Sequence, residues 1–189
     1  MFKKMKNILI LSILFLSGCE SSNKEPLTLT NEQAVYESVA LKFINSMSKK
    51  IIVLNKTNGS WFQNQRLSQI KEIATKEFRG EIKSFDVPPI LLERIHASNQ
   101  KAHNINWNPI IVNGKLEPAE NHAPFKKGPL QEKYSYYSFS RVAFTNDNKS
   151  ALVKFTHHCF TLCGGEWLVY LKFEENQWKF IQSLTLSIS

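Results

Sequence analysis

Glycine and proline are scarce, with 7 of each in 189 residues. That excludes collagen-like and low-complexity chains and leaves ordinary globular composition. Long apolar runs are scarcer still. The one of note, Ile8 to Leu16, is broken by Ser12 and falls far short of the roughly 20 apolar residues a helix needs to cross a bilayer. No run of five basic residues occurs. The 24 lysines and arginines are scattered among 16 acids, with short pairs at Lys49-Lys50 and Lys126-Lys127, a pattern that describes a solvated surface with at most weak attraction to anionic headgroups or envelope polymers. Gly-x-Ser-x-Gly, His-Glu-x-x-His, the P-loop and the dinucleotide fingerprint are all missing, which removes the common motif-bearing enzymes but not catalysis in general. Cysteine occurs 3 times, and never as Cys-x-x-Cys, so the thioredoxin-type redox motif is also out.

What is present begins with an export signal. Lys3, Lys4 and Lys6 precede the short apolar run, the design of a signal peptide. The run ends in Leu16-Ser17-Gly18-Cys19, which resembles the bacterial lipobox, where the cysteine is acylated and becomes the first mature residue. Residues 1–18 are therefore expected to be a lipoprotein signal peptide, with Cys19 as the lipidation site. Each buried CH₂ of the acyl chains would contribute about 0.8 kcal/mol, and more than one chain makes attachment to the membrane stable. Residues 19–30, polar after the cysteine, read as a tether. Glu20, in place of Asp, implies sorting to the outer membrane, facing the periplasm, if the host is Gram-negative. Export argues against a nucleic-acid partner.

Residues 31–189 have the usual size of one domain. Thr30-Asn31-Glu32-Gln33 has capping-box spacing, and Tyr36, Ala40, Phe43 and Met47 follow at helical intervals, predicting a helix over about 31–48. Ile51 to Leu54 is a short β-branched run and predicts a buried strand. Leu67, Ile70, Ala74 and Phe78 mark a second amphipathic helix, stopped at Gly80, and a third starts at Pro88-Pro89 with Leu91, Leu92 and Ile95. From 101 to 133 prolines and glycines interrupt every pattern, so a long irregular loop is expected, functional or mobile. Within it, Ile110 to Val112 before Asn113-Gly114 has the form of a hairpin arm. Four β-rich runs close the chain, Tyr134 to Thr145, Ala151 to Cys159, Trp167 to Phe173 and Trp178 to Leu186, with turns at Asn146–Asn148 and Glu174–Asn176. They predict an antiparallel four-stranded meander. Val153, Phe155, His157 and Cys159 share one face of their strand, so the N-terminal helices are expected to cover it. The fold class is α+β.

Ser140 to Phe144, Ala151-Leu152-Val153, Cys159 to Gly165 and Trp178-Lys179-Phe180 together resemble an uncharacterised family of exported bacterial lipoprotein-type proteins. In that family an "SRvgF" strand precedes "ALvy", a "C..LCG.G" hairpin and a terminal "gkWk" strand. Ala143 and Phe160 stand where that pattern carries glycine. The resemblance implies export and an α+β fold. It implies no activity.

Few residues offer chemistry. Cys159 and Cys163 flank a predicted hairpin, and in an oxidising compartment two such cysteines pair. A disulfide over so short a loop contributes about 2 kcal/mol. His157, His158, Cys159 and Cys163 also supply two imidazoles and two thiolates within one segment, but adjacent strand residues face opposite ways, and the spacing lacks the separated pairs of zinc sites. No metal and no cofactor is expected. A free cysteine with His157 as base would make a Cys-His nucleophile, with Glu166 the nearest carboxylate. Arg141 either faces a pocket or a carboxylate such as Glu166, or lies along the sheet with its head in solvent. Tyr134, Tyr136, Tyr137, Phe139, Trp61, Trp107 and Trp167 form either a stacking surface for sugar or peptide ligands or simply core. Arg141, His157 and Glu166 are thus the ligand-facing candidates. The expected function is a lipid-anchored envelope protein that binds or organises an envelope protein or polymer without catalysis. A thiol or metal enzyme centred on Cys159, Cys163 and His157 is the competing expectation. A pocket between helices and curved sheet, by analogy with cone-shaped α+β folds, is a third.

Overall fold

In the computed structural model, described over residues 31–44, 51–54, 56–75, 85–108, 110, 116–119, 136–158 and 164–188, apolar periodicity sets most of the elements. Val35, Tyr36, Val39 and Ala40 recur at helical spacing and are all buried, which gives α1, Asn31–Ile44, a single apolar stripe. The predicted remainder of that helix, 45–48, lies outside the described residues. β1 is Ile51–Val53, and a one-turn α2, Ser60–Gln63, follows. α3 is Leu67–Thr75, and the predicted stop at Gly80 again lies outside the described residues. Pro89 opens α4, Pro89–Ser98, at the first helical position, where its missing N–H costs nothing.

The sheet departs from the predicted four-stranded meander. Among the described residues it is mixed and has seven strands: β1, β2 (Leu116–Pro118), β3 (Tyr136–Phe139), β4 (Ala143–Phe144), β5 (Ser150–His158), β6 (Gly165–Glu174) and β7 (Gln177–Ile188). Their order is β2-β1-β3-β5-β6-β7, with β4 paired to β5 beyond the end of β3. β1 runs parallel to both β2 and β3, and the β3–β5, β4–β5, β5–β6 and β6–β7 pairings are antiparallel. Two expectations are corrected. The 101–133 segment contains a strand, β2; Ile110 bonds its N–H to the Trp107 carbonyl, and the rest of the expected hairpin arm, residues 111–114, lies outside the described residues. The run Tyr134 to Thr145 is two strands separated by Ser140, Arg141 and Val142.

Turn chemistry matches the sequence closely. Glu175 and Asn176, both at positive φ, form the two-residue β6–β7 hairpin, as a twist-matched turn requires. β7 carries two extra residues relative to β6, Leu186 and Ile181, where the register shifts, and such bulges sharpen the local twist.

Both faces of the sheet are buried. One carries Ala151, Val153, Phe155, Val169 and Leu171 against Val35, Tyr36 and Val39 of α1. There Phe43 lies 5.2 Å from the Phe155 ring and 5.8 Å from Phe180, and the Ser38 hydroxyl donates to the Trp178 carbonyl. The opposite face carries Leu152, Leu168, Tyr170 and Leu184 against Phe62, Ile70, Leu91 and Ile95 of α2, α3 and α4. Close approach of α4 to the start of α2 needs Gly59, because a Cβ there would overlap the Asn99 carbonyl oxygen.

A candidate ligand pocket at the break between β3 and β4

Between β3 and β4 the chain leaves the ladder, so its backbone groups need partners elsewhere. Ser140 N–H donates to the Lys154 carbonyl at 2.9 Å, and the Ser140 hydroxyl stands in for a backbone acceptor, taking the Lys154 N–H at 2.8 Å. Arg141 N–H goes to Asn99 Oδ1 at 2.7 Å, while Asn99 Nδ2 returns to the Arg141 carbonyl at 3.2 Å. Val142 N–H goes to Glu32 Oε1 at 2.9 Å. The Tyr36 hydroxyl sits 3.0 Å from both Glu32 Oε1 and the Ser140 carbonyl, sharing its one proton between them. Helix α1 and the C-terminal cap of α4 therefore satisfy the break with side chains. Burial, followed by the neighbouring Glu32 charge, holds the Tyr36 phenol well above its ordinary range.

Arg141 completes the network, its Nε and Nη2 donating to the Glu32 carboxylate at 3.3 and 3.4 Å. The Arg141 side chain is 38% exposed and that of Glu32 26%, so this pair contributes only about 0.2–1 kcal/mol. The Val142 N–H contact matters more, because an orphaned buried donor costs about 1–3 kcal/mol.

Beside this network lies a pocket of about 200 Å³. It is lined by Glu32, Gln33 and Tyr36 of α1, by Arg141 and Thr57, and by a second wall of residues 103–106. That second wall is tied down. Thr57 N–H donates to the His103 carbonyl and Thr57 Oγ1 accepts from His103 N–H, both at 2.8 Å. Gln33 Nε2 reaches the Asn106 carbonyl at 3.0 Å, and Trp107 Nε1 reaches the Leu54 carbonyl at 2.9 Å. Beneath the pocket, Tyr36, Trp107 and Phe139 pack ring to ring at 5.2 to 5.7 Å.

The opposite face of the sheet holds a separate polar cluster. Lys154 is 1% exposed, and its ammonium donates to Glu166 at 2.6 Å and to Thr156 Oγ1 at 2.9 Å. Burial pushes the Lys154 ammonium below its usual range, against the opposing pull of Glu166. Next to it the Ser138 hydroxyl contacts His158 Nε2 at 3.1 Å, and Asn58 reaches Ser138 at 3.5 Å.

The candidates read from sequence are thus spread apart. Arg141 lines the pocket, and its carboxylate partner is Glu32, not Glu166, which already holds Lys154 on the other face. His157 stacks on Tyr137 at 4.6 Å, and its Nε2 is buried without a partner among the described residues. His158 stacks on Tyr136 at 4.4 Å on the other side, as strand alternation requires. Cys19, Cys159 and Cys163 lie outside the described residues, as does Tyr134. Tyr137, Phe139 and Trp107 are buried, and Trp61 and Trp167 pack against the two cores, so these aromatics fill core instead of forming an open platform. Sequence reasoning missed Asn99, Lys154 and the pocket role of Glu32. Among the described residues no cluster of three His, Cys, Asp or Glu side chains has metal-binding geometry.

The elements and pocket define an α+β protein with a mixed sheet covered on both faces and a polar cleft at a strand break. No protein-family model matches the chain, and no curated protein or solved structure matches it.

Two outcomes are expected. Glu32→Ala, which orphans Val142 N–H, lowers the unfolding free energy by about 2–3 kcal/mol in urea titration, whereas Arg141→Ala lowers it by under about 1 kcal/mol. Equal losses would mean that the ion pair dominates. Burial lowers the His157 and His158 imidazoles in the folded protein, so the unfolded chain takes up their protons first as pH falls. The stability they contribute is present above the unfolded value of 6.5 and lost as pH falls through the lowered native values. The thermal midpoint should therefore drop between about pH 7.5 and pH 5, less steeply in a His157→Gln, His158→Gln double variant. An unchanged slope in that variant would assign the acid sensitivity to other groups.

Proposed function

We propose that the chain is a lipid-anchored protein of the cell envelope, held at the membrane through Cys19, whose folded body binds an envelope protein or polymer without catalysing a reaction. Support for the anchor comes from Lys3, Lys4 and Lys6, the short apolar run and Leu16 to Cys19. The resemblance of Ser140 to Phe144, Cys159 to Gly165 and the terminal Trp178-Lys179-Phe180 to exported lipoprotein-type proteins supports the same reading. Among the described residues no helix is long and apolar enough to cross a membrane. The observation that carries the binding role is the pocket at Arg141. Its walls are pinned by hydrogen bonds on both sides, and its Glu32 carboxylate is already engaged by Val142, Tyr36 and Arg141. A pre-formed polar concavity whose carboxylate is already engaged supports binding as its role.

A second reading, thiol chemistry at Cys159, Cys163 and His157, draws on one observation. His157 Nε2 is buried with no partner among the described residues, and Cys159 follows two residues along the chain.

The intact mass of protein extracted from membranes, alkylated before and after reduction, separates these readings. The expected species begins at an acylated Cys19, and Cys159 and Cys163 alkylate only after reduction. An unacylated Cys19 refutes the anchor, and two freely alkylating thiols favour the second reading. For the binding role, a photocrosslinker at exposed Ala102, next in sequence to the pocket-lining His103, should give a discrete adduct in intact cells that the same group at exposed Glu174 does not give. No adduct from position 102 would remove the pocket from the function.

A further inference from the structure

The pocket at Arg141 has a composition that selects among ligand classes. Resting on the binding role proposed above, we infer that it takes one ring of an uncharged, hydroxyl-rich saccharide. Its volume of about 200 Å³ suits a single ring, below the roughly 300–1,000 Å³ of pockets that enclose larger organic ligands.

Charge is the first discriminator. Arg141 and Glu32 cancel each other at 3.3 Å, so a carboxylate or phosphate approaching the guanidinium meets the Glu32 charge as well. The second discriminator is the backbone. Peptides are commonly read through main-chain hydrogen bonds along an exposed strand edge. Here the His103 amide and carbonyl are both taken by Thr57, and the Asn106 carbonyl is taken by Gln33. That wall offers a peptide few free backbone partners.

Side chains are what remain. Among the described residues, Arg141 Nη1, the Asn104 carboxamide, Asn106 Nδ2 and the His103 imidazole have no partner, and the last three residues are exposed. Planar groups with donors and acceptors side by side match neighbouring sugar hydroxyls, each of which both donates and accepts. Ile105 and Tyr36 also line the pocket, but both are buried, so recognition falls mainly to the polar side chains.

The test is calorimetric titration of the detergent-solubilised full chain with an N-acetylglucosamine tetrasaccharide, with maltotetraose and with trialanine. One of the two saccharides should bind saturably, with an affinity independent of salt between about 50 and 300 mM because no net charge is neutralised. In an Asn104→Ala, Asn106→Ala double variant that keeps the wild-type thermal midpoint, the dissociation constant should rise about tenfold. Both side chains are exposed, so folding should survive; His103→Ala, with a smaller rise, is the second variant if it does not. Saturable binding of trialanine alone would overturn the saccharide inference and leave the binding role standing. Neither saccharide binding at about 20 mM, or unchanged affinity in both variants, would also overturn it. The binding role itself falls only if the crosslinker at Ala102 gives no adduct.

Discussion

The arrangement depends on how the chain disposes of three backbone units, Ser140, Arg141 and Val142, that leave the ladder beside β5. An unpaired buried amide costs as much as several ordinary contacts contribute. Here each amide finds an acceptor from a different quarter: the Lys154 carbonyl, Asn99 at the end of α4, and Glu32 in the first turn of α1. The two helices lie on opposite faces of the sheet, and the break is where both reach it. One irregularity therefore fixes both helices relative to the strands. The pocket follows, because Glu32 and Arg141 are placed by the same bonds.

The covered second face has its own electrostatic consequence. Lys154 sits where alternation would put a solvated residue on a one-sided sheet, yet α2, α3 and α4 bury that side. Its charge is tolerated through the close contact with Glu166 and the Thr156 hydroxyl. Removing one partner of such a pair typically costs about 3–5 kcal/mol, while replacing both with packed apolar groups is often neutral. The cluster is better understood as a constraint on register between β5 and β6, opposite Thr156↔Glu166, than as a source of stability.

Much of this was legible in the sequence, for local reasons. α1, β1, α3, α4 and the last strands announce themselves by periodicity, and the β6–β7 turn by Glu-Asn at its centre. β2 was not legible, because Leu-Glu-Pro has no strand character of its own. It is a strand because β1 presents an edge, and Pro118 is tolerated because β2 lies outermost in the sheet order. The 140–142 break was hidden because Ser-Arg-Val reads as strand, and its cause lies in residues 32, 36 and 99. Arg141 was recognisable as a charge seeking a carboxylate or a pocket, but the partner came from α1, since Glu166 is held by Lys154, a residue the sequence did not single out. The pocket draws on residues 32–36, 57, 103–106 and 141, a set that no short motif can encode.

The placement of partners along the chain also sets an order of assembly. β5, β6 and β7 join neighbours in sequence, so they can zip locally, whereas β1 pairs with residues 116–118 and 136–137 and α1 packs on strands from 151 onward. Contacts across such separations carry a larger loop-closure cost and form late. A chain that emerges N-terminus first can pair β1 with β2 and pack α2, α3 and α4 on one another early, but α1 has no strands to cover until the final third has arrived. Closure of the sheet against α1 is therefore deferred to the end of emergence, and the face that α1 covers is the last part of the core to be excluded from water.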